Sequence, residues 1–442
     1  MSISKPTTMP WLPVMPVRWS ETRAKNLFRK ENRPVCEEDD VVTCFRDGMV
    51  TLRKNRRTTG FTESTQWSGY QGVRKGDLVI HVMDAFAGSI GVSDSDGKST
   101  PVYNVCTAKQ DLNNQYYAYA LREMARAGYI QSLYRGIRER SSDFRFEVFA
   151  TQRLPLPPRA EQDQIVRYLD WKVSQINRLI NAKKKQIRLL QEQKRTVINE
   201  AVTEDGEGWQ KKPLKYWVKS NEIALGSNTD SDFTFDYLDI SSIGQGYVKK
   251  EPMRFTFDEA PSRARRIVRY GDTIISTVRT YLRSVCFINR ELESCIVSTG
   301  FSVLTPDSDS VLPELLSFIL TSDRFIDDVI RNSIGVSYPA INDSKLMNIR
   351  VALPLALSDQ QKLYDKIKSQ FFVFDKTITN VQGQVTLLHD YRTRLISDVV
   401  TGKMDVRDVS VPDFEEVEEA LAEDETDELG ADSTEGNDDD EP

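Results

Sequence analysis

Few side chains in this sequence are typed and spaced for bond-making chemistry. His81 and His389 are the only histidines. One lies in the apolar run from Leu78 to Val82 and the other in a long helical stretch, and no cysteine or carboxylate spacing makes either a metal ligand. Both read as structural or surface residues. The five cysteines (36, 44, 106, 286, 295) form no CxxC pair and have no histidine nearby. That argues against a zinc site or a disulfide framework, and for a reducing, cytoplasmic compartment. A nucleotide-using protein needs a phosphate cradle, and neither a Walker A motif nor G-x-G-x-x-G is present. No Asn/Asp-Pro-Pro-Tyr-like tetrapeptide is available to hold a flipped adenine. The fragment Glu192-Gln-Lys194 has a nuclease-like order, but it falls inside a helix with no acidic partner at a useful spacing. The expectation is a non-catalytic binder with no metal or cofactor of its own.

What the chain offers instead is cationic. The densest basic run holds Arg53, Lys54, Arg56 and Arg57, followed by Thr58, Thr59 and Gly60, small residues that allow close approach to a backbone. A second group is Arg138, Arg140 and Arg145. Further on come Arg263, Arg265 and Arg266, then Arg279 and Arg283 with Tyr281 between them. Polyanion readers need cations for phosphates and polar side chains for base edges, and these runs are the candidates. A charge run can equally be a solvated face. The formal net charge of −7 hides the balance, because residues 412–442 hold 16 Asp or Glu and no Lys or Arg. Without them residues 1–411 carry +9. A basic body favours polyanionic partners. The acidic end reads as a disordered, solubilising segment, or as a competitor for the basic surface.

The elements that must position these residues come from an internal repeat. Shifted by 198, Glu161–Thr203 aligns without gaps on Asp359–Thr401: Gln162 falls on Gln360, Ile198 on Ile396, Val202 on Val400. A heptad stripe runs Leu169, Ile176, Lys183, Leu190, Val197, flanked by Val173, Ile180, Ile187, Lys194 and Ala201. Its second copy runs Ile367, Phe374, Val381, Leu388, Leu395, flanked by Phe371, Ile378, Val385, Arg392 and Val399. Neither copy has an interior proline, and Gly383 is the one weak point. Such stripes over about five heptads read as coiled-coil helices. A 43-residue helix spans roughly 65 Å. Lys183, Lys184, Lys185 and Arg188 on the first helix read as its wet side, with the Lys183 stem packing on the stripe.

Each helix follows a proline-rich turn, Leu154–Pro158 or Leu353–Leu355, and starts on an acidic residue suited to a positive helix N-terminus. The segments ahead of the helices repeat more loosely. Val73-Arg-Lys-Gly-Asp77 matches Val268-Arg-Tyr-Gly-Asp272, each a turn into a β-rich run, and Trp19 and Lys25 line up with Trp209 and Lys215. The N-terminus has prolines where a signal peptide needs an apolar run, and no apolar stretch approaches bilayer length.

Two differing globular halves, each closed by a proline-rich turn, an acidic-Gln pair and a long helix ending near Val202-Thr203 or Val400-Thr401, resemble the specificity subunits of type I restriction–modification systems. The segments Gly335–Asn342 and Tyr134–Phe144 share in that likeness, which covers about Trp11 to Val406. The resemblance implies an α+β chain with two α/β target-recognition domains in tandem (1–155 and 205–355), each followed by a long helix (156–204 and 356–406). The helices would pair as an antiparallel coiled coil, with 407–442 a disordered acidic tail. It implies double-stranded DNA as ligand, read as a bipartite target. Two modification (methyltransferase) subunits using S-adenosylmethionine would dock on the helices, with Leu169, Ile176, Ile180, Ile187, Leu190, Val197, Ile367, Phe374, Ile378, Val381, Leu388 and Leu395 as the seam. Restriction subunits using ATP and Mg would complete a complex that defends against foreign DNA by methylating adenine N6 and cutting. Two other readings stay open: a protein-binding coiled-coil scaffold, or the recognition subunit of a methyltransferase system that is not type I.

Overall fold

The computed structural model describes residues 4–36, 38–56, 69–133, 143–203, 208–335 and 338–420. The chain divides into two compact units: residues 1–184 with 383–442, and residues 185–382. The first therefore joins two stretches that lie on either side of the second in sequence.

In the first unit a four-stranded antiparallel sheet has the order β1 (Phe28–Lys30), β4 (Tyr103–Ala108), β2 (Leu78–His81), β3 (Ile90–Val92). β2 follows the Gly-Asp turn. Gly76 takes φ +90, and the buried Asp77 carboxylate accepts from the Arg74 N–H at 2.8 Å while pairing with Arg33. Left-handed backbone at that position favours glycine, and the aspartate closes the turn. Helix α1 (Asn114–Arg126) packs on the sheet through Tyr116, Tyr117, Leu121 and Met124. Its start is capped by the Asn113 side chain, which accepts from the N–H groups of Gln115 and Tyr116. β5 (Arg153–Leu156) pairs antiparallel with Ser20–Arg23 and leads into α2 (Arg159–Thr203).

The second unit repeats this plan. Its sheet has the order β7 (Val218–Ser220), β10 (Phe301–Pro306), β8 (Thr273–Ser276), β9 (Val285–Phe287), again antiparallel throughout. The Gly-Asp turn before β8 has Gly271 at φ +95 and Asp272 accepting from the Arg269 N–H at 2.8 Å. β6 (Trp209–Pro213) pairs with β11 (Arg350–Pro354) as Ser20–Arg23 does with β5. Helix α3 (Pro313–Leu320) stands where α1 stands, and α4 (Leu357–Val400) follows β11 without a break at Gly383. The second unit adds a four-stranded sheet from Thr234–Leu238, Met253–Thr256, Ala264–Ile267 and Ile296–Ser298, with one parallel pairing. The first unit has two hairpin-like pairs in its place, Val42–Cys44 with Val50–Leu52 and Gln71–Val73 with Gly97–Ser99.

The long helices pair antiparallel, as is visible inside each unit. In the first, Leu169, Ile176 and Ile180 share a core with Leu395 and Val399, and Arg392 Nη1 donates to Asn177 Oδ1 at 2.6 Å. In the second, Ile198, Ala201 and Val202 share a core with Ile367, and Lys194 bonds Asp375 at 2.5 Å with its ammonium over the Phe371 ring. Every stripe residue anticipated as the seam is buried or half-buried. Burying apolar area of this extent is what holds long helices together, since helix propensity alone is weak.

The acidic end corrects the expectation of disorder from residue 407. As far as Ala420 the chain lies along α2. Gln164 donates to the carbonyls of Val406 and Val409 (2.9 and 2.7 Å), Arg167 to Val411, Asn177 to Val417 and Asn181 to Glu418. Lys184, read as a wet lysine, binds Glu419 at 2.7 Å. The physical reason is that Val406, Val411 and Phe414 are apolar anchors among the acids, and they pack on the first unit's core. Residues 421–442 lie outside the described residues.

Candidate nucleic-acid interface

In each unit the loop that leaves the Gly-Asp strand is bonded to a later segment of the chain, and in the second unit the basic candidates gather around it. In the second unit this loop, 277–283, contains two non-glycine residues in left-handed backbone, Arg279 (φ 49) and Arg283 (φ 54), on either side of the short 3-10 turn Thr280–Leu282. Such conformations cost about 1 kcal/mol or more each and persist only where the surroundings impose them. The surroundings are visible. Ile341 N–H donates to Thr277 O at 2.8 Å, Val278 bridges Ala340, and the Thr280 and Ser333 hydroxyls meet at 2.9 Å. This anchors the Gly335–Asn342 segment, described apart from residues 336 and 337, against the loop. The Arg279 guanidinium lies 5.0 Å over the Tyr338 ring, and Tyr338 and Tyr281 are two-thirds and half exposed. Arg283 is turned to the protein, bonded to Asp323 at 2.5 Å and Asp327 at 3.3 Å.

The Arg263–Arg266 run reaches the same edge. Thr299 N–H donates to Arg263 O and Thr277 N–H to Gly300 O, both at 2.8 Å. Alternation along the strand then separates its members. Arg263 is exposed and paired with Asp239 at 2.8 Å; Arg265 stacks 4.5 Å over Phe257. Arg266 points inward, donating to Asn221 Oδ1 and Phe301 O, and burial lowers its pKa. It belongs to the framework of the domain.

In the first unit the loop is 81–88. His81 Nδ1 accepts from the Asp84 N–H at 3.0 Å and its ring meets Tyr103 edge-on at 4.7 Å; burial depresses its pKa. Arg46 reaches Asp84 at 3.3 Å, tying the Val42–Leu52 hairpin to the loop. Beyond the second strand of the hairpin Lys54 pairs with Asp40 and Arg56 with Asp47 in the hairpin's turn, both at 2.5 Å, and Arg56 lies 5.1 Å over Phe45. Arg53 Nε donates to Thr43 at 3.3 Å. On the other side, Phe144 N–H donates to Val82 O at 3.1 Å, the counterpart of the Ile341–Thr277 bond. Arg145 follows, exposed and bonded to Asp143 at 2.6 Å. Arg57, Arg138 and Arg140 lie outside the described residues, as do Thr58, Thr59 and Gly60. Sequence reading missed Arg122 on α1, whose guanidinium packs flat against Gly48 and whose pKa is lowered by burial. Only the tertiary fold brings it to the hairpin.

The repeated glutamines attach each globular part to its helix. Gln162, 1% exposed, accepts from the Asn113 N–H at 2.9 Å and donates to Pro157 O at 2.9 Å. Gln360, fully buried, accepts from the Leu312 N–H at 2.7 Å and donates to Ser310 O (3.0 Å) and Pro354 O (2.8 Å). Asn113 and Leu312 are the residues that open α1 and α3. Each glutamine thus fixes a domain helix to the start of a long helix, a role the alignment of 162 with 360 hinted at without revealing. Among the described residues no cluster of His, Cys, Asp or Glu could hold a metal, and no helix is long and apolar enough to cross a membrane.

A doubled sheet-and-helix module, each copy bonded to one of two long helices, defines a class of two-module proteins. No family model matches the chain. It is 28% identical over 131 residues to the type I restriction enzyme HindI specificity subunit of Haemophilus influenzae, a match spanning 28% of that protein. It is 21% identical over 361 residues to the MjaVIII specificity subunit of Methanocaldococcus jannaschii, spanning 76% of this chain and 81% of that one. In fold it superposes on a chain from a structural study of type I R-M complex assembly and conformational transition. That superposition has a TM-score of 0.60 at 16% identity and covers 88% of this chain and 99% of the other. In sequence the chain is thus similar to specificity subunits of type I restriction enzymes, and it shares the fold of a chain from a type I R-M system.

Proposed function

We propose that this chain is the DNA-reading subunit of a type I complex, each unit's globular module reading one half of a bipartite target. The observation that carries the reading is the duplicated loop. The same loop, after the same Gly-Asp strand, accepts a main-chain N–H from a later arginine- or tyrosine-bearing segment in both modules (Phe144 to Val82, Ile341 to Thr277), and a buried glutamine ties each module to a long helix. The modules differ where readers of two different half-sites should differ, with an extra sheet in one and hairpins in the other. A helix of 45 residues, about 68 Å long, makes half-site separation a property of the protein. Two linked readers raise each other's effective concentration, so modest halves give a tight whole.

Arg53, Lys54, Arg56, Arg145, Arg263, Arg265, Arg279 and Tyr281 are the described candidates for contact with DNA. Methylation and cleavage are supplied by partners: two modification subunits using S-adenosylmethionine, docked along α2 and α4, and restriction subunits using ATP and Mg, all in the cytoplasm. Methylome sequencing of a host expressing this chain with its methyltransferase tests the proposal. A gapped two-part adenine motif that disappears when the chain is removed is expected; an unchanged methylome overturns it.

A further inference from the structure

The acidic segment that runs beside α2 does more than fill space. Both main-chain groups of Val417 are read by the helix: its N–H donates to Ser174 Oγ at 3.1 Å and its carbonyl accepts from Asn177 Nδ2 at 2.8 Å. Asn181 repeats the pattern one step on, donating to Glu418 O and accepting from Ala420 N–H, both at 2.9 Å. The Glu419 carboxylate between them is held by Lys184 (2.7 Å), Arg392 (2.8 Å) and His389 (3.3 Å) and is only one-fifth exposed. Burial alone would raise its pKa, but the bonds from Lys184 and Arg392 prevail and hold it below the ordinary carboxylate range.

The internal repeat shows that this arrangement is particular to the first unit. Positions 174, 177, 181 and 184 correspond to Phe372, Asp375, Thr379 and Gln382. In the second unit the helix cation Lys194 finds its carboxylate in Asp375. In the first unit the corresponding place is Asn177, so the corresponding cation, Arg392, has no acid on the facing helix and takes Glu419 instead.

We propose that Ser174, Asn177, Asn181, Lys184, His389 and Arg392 form a binding groove for an extended acidic peptide, filled in cis by residues 415–420 and open to an acidic segment of a partner protein once these leave. A peptide is the occupant the chemistry selects. Ser174 Oγ and Asn181 Oδ1 accept hydrogen bonds at the spacing of a main chain, and the backbone of duplex DNA has no N–H to donate to them. Tethering places the cis segment at an effective concentration near millimolar, so a free peptide competes poorly with it.

The test uses the full chain. Amide exchange in the wild type should protect the N–H groups of Val417 and Ala420; exchange at free-peptide rates overturns the proposal. The variant Val417→Pro with Glu419→Lys removes one donor and inverts the buried charge, freeing the groove. A fluorescein-labelled peptide of residues 409–422 should bind this variant at least about tenfold more tightly than it binds the wild type, and more weakly as salt rises. Failure of the variant, shown to be folded by circular dichroism, to bind the peptide overturns the proposal. So does displacement of the peptide by a 20-base-pair duplex as readily as by unlabelled peptide. None of these readouts depends on whether the chain reads DNA.

Discussion

Replacing Gln360 with alanine tests how firmly a reading module must be held to its spacer. The side chain makes three hydrogen bonds at 2.7, 2.8 and 3.0 Å in a place with no access to solvent. Alanine leaves the Leu312 N–H and the carbonyls of Ser310 and Pro354 without this partner. An orphaned buried polar group costs roughly 1–3 kcal/mol, and carbonyls that keep other partners cost less, so the loss should be on the order of 3 kcal/mol. Gln162→Ala, with two bonds of 2.9 Å, should lose about 2 kcal/mol. The functional consequence follows from DNA geometry. One base pair added to the gap moves a half-site by about 3.4 Å and turns it by roughly 35°. A module rigidly bonded to its helix rejects that change, and one freed from it tolerates it. Urea denaturation followed by the fluorescence of Trp209 and Trp217 measures the first effect. Binding to a series of probes with gaps one or two base pairs longer and shorter measures the second. If Gln360→Ala unfolds at the wild-type urea concentration and keeps the wild-type gap preference, the glutamine is not a clamp and the reasoning fails.

Other expectations follow from the same geometry. Arg265→Ala and Arg279→Ala should each weaken DNA binding and reduce the slope of log K against log salt by about 1, whereas Arg266→Ala should instead destabilise the second unit, as a thermal melt would show. Arg279→Gly should relieve the left-handed strain, raising stability by up to about 1 kcal/mol while losing DNA affinity; a loss of stability would refute the strain. Asp170, most of it buried and bonded to Tyr119 at 2.9 Å, has its pKa raised to about 6, chiefly by burial. Because the folded value lies above the unfolded value of about 3.9, folding stability should fall as pH rises from about 4 to 6 and level off above. Asp170→Asn should remove that slope, with a gain at pH 7 on the order of 2 kcal/mol in denaturation curves, and an unchanged slope would discard the assignment.

The long helices were readable because a seven-residue stripe constrains a whole helix at once, and the Gly-Asp turns because the glycine and the aspartate have one geometry to satisfy. The added sheet of the second unit was not. Its central parallel pair joins Tyr237 to Ile296 and Leu238 to Val297, strands far apart in sequence with no local signal linking them. The basic runs showed where cations cluster but not which way they point. Arg265 and Arg266 diverge because adjacent strand residues face opposite sides, and Arg283 turns inward because Asp323 and Asp327 arrive on a distant helix. The order imposed on residues 407–420 was hidden by their composition. The sixteen acids of residues 412–442 mask three apolar anchors, Val406, Val411 and Phe414, although the anchors decide where the chain lies.

That residues on both sides of the second unit share the first unit's core has a consequence for biosynthesis. Residues 185–382 draw on one continuous stretch, but residues 1–184, made before them, take Leu395 and Val399 of α4 and Val406 beyond it into their core from a stretch made afterwards. A premature stop codon shortly after position 382 would spare the second module, yet leave the first, encoded hundreds of bases upstream, without a wall of its interior.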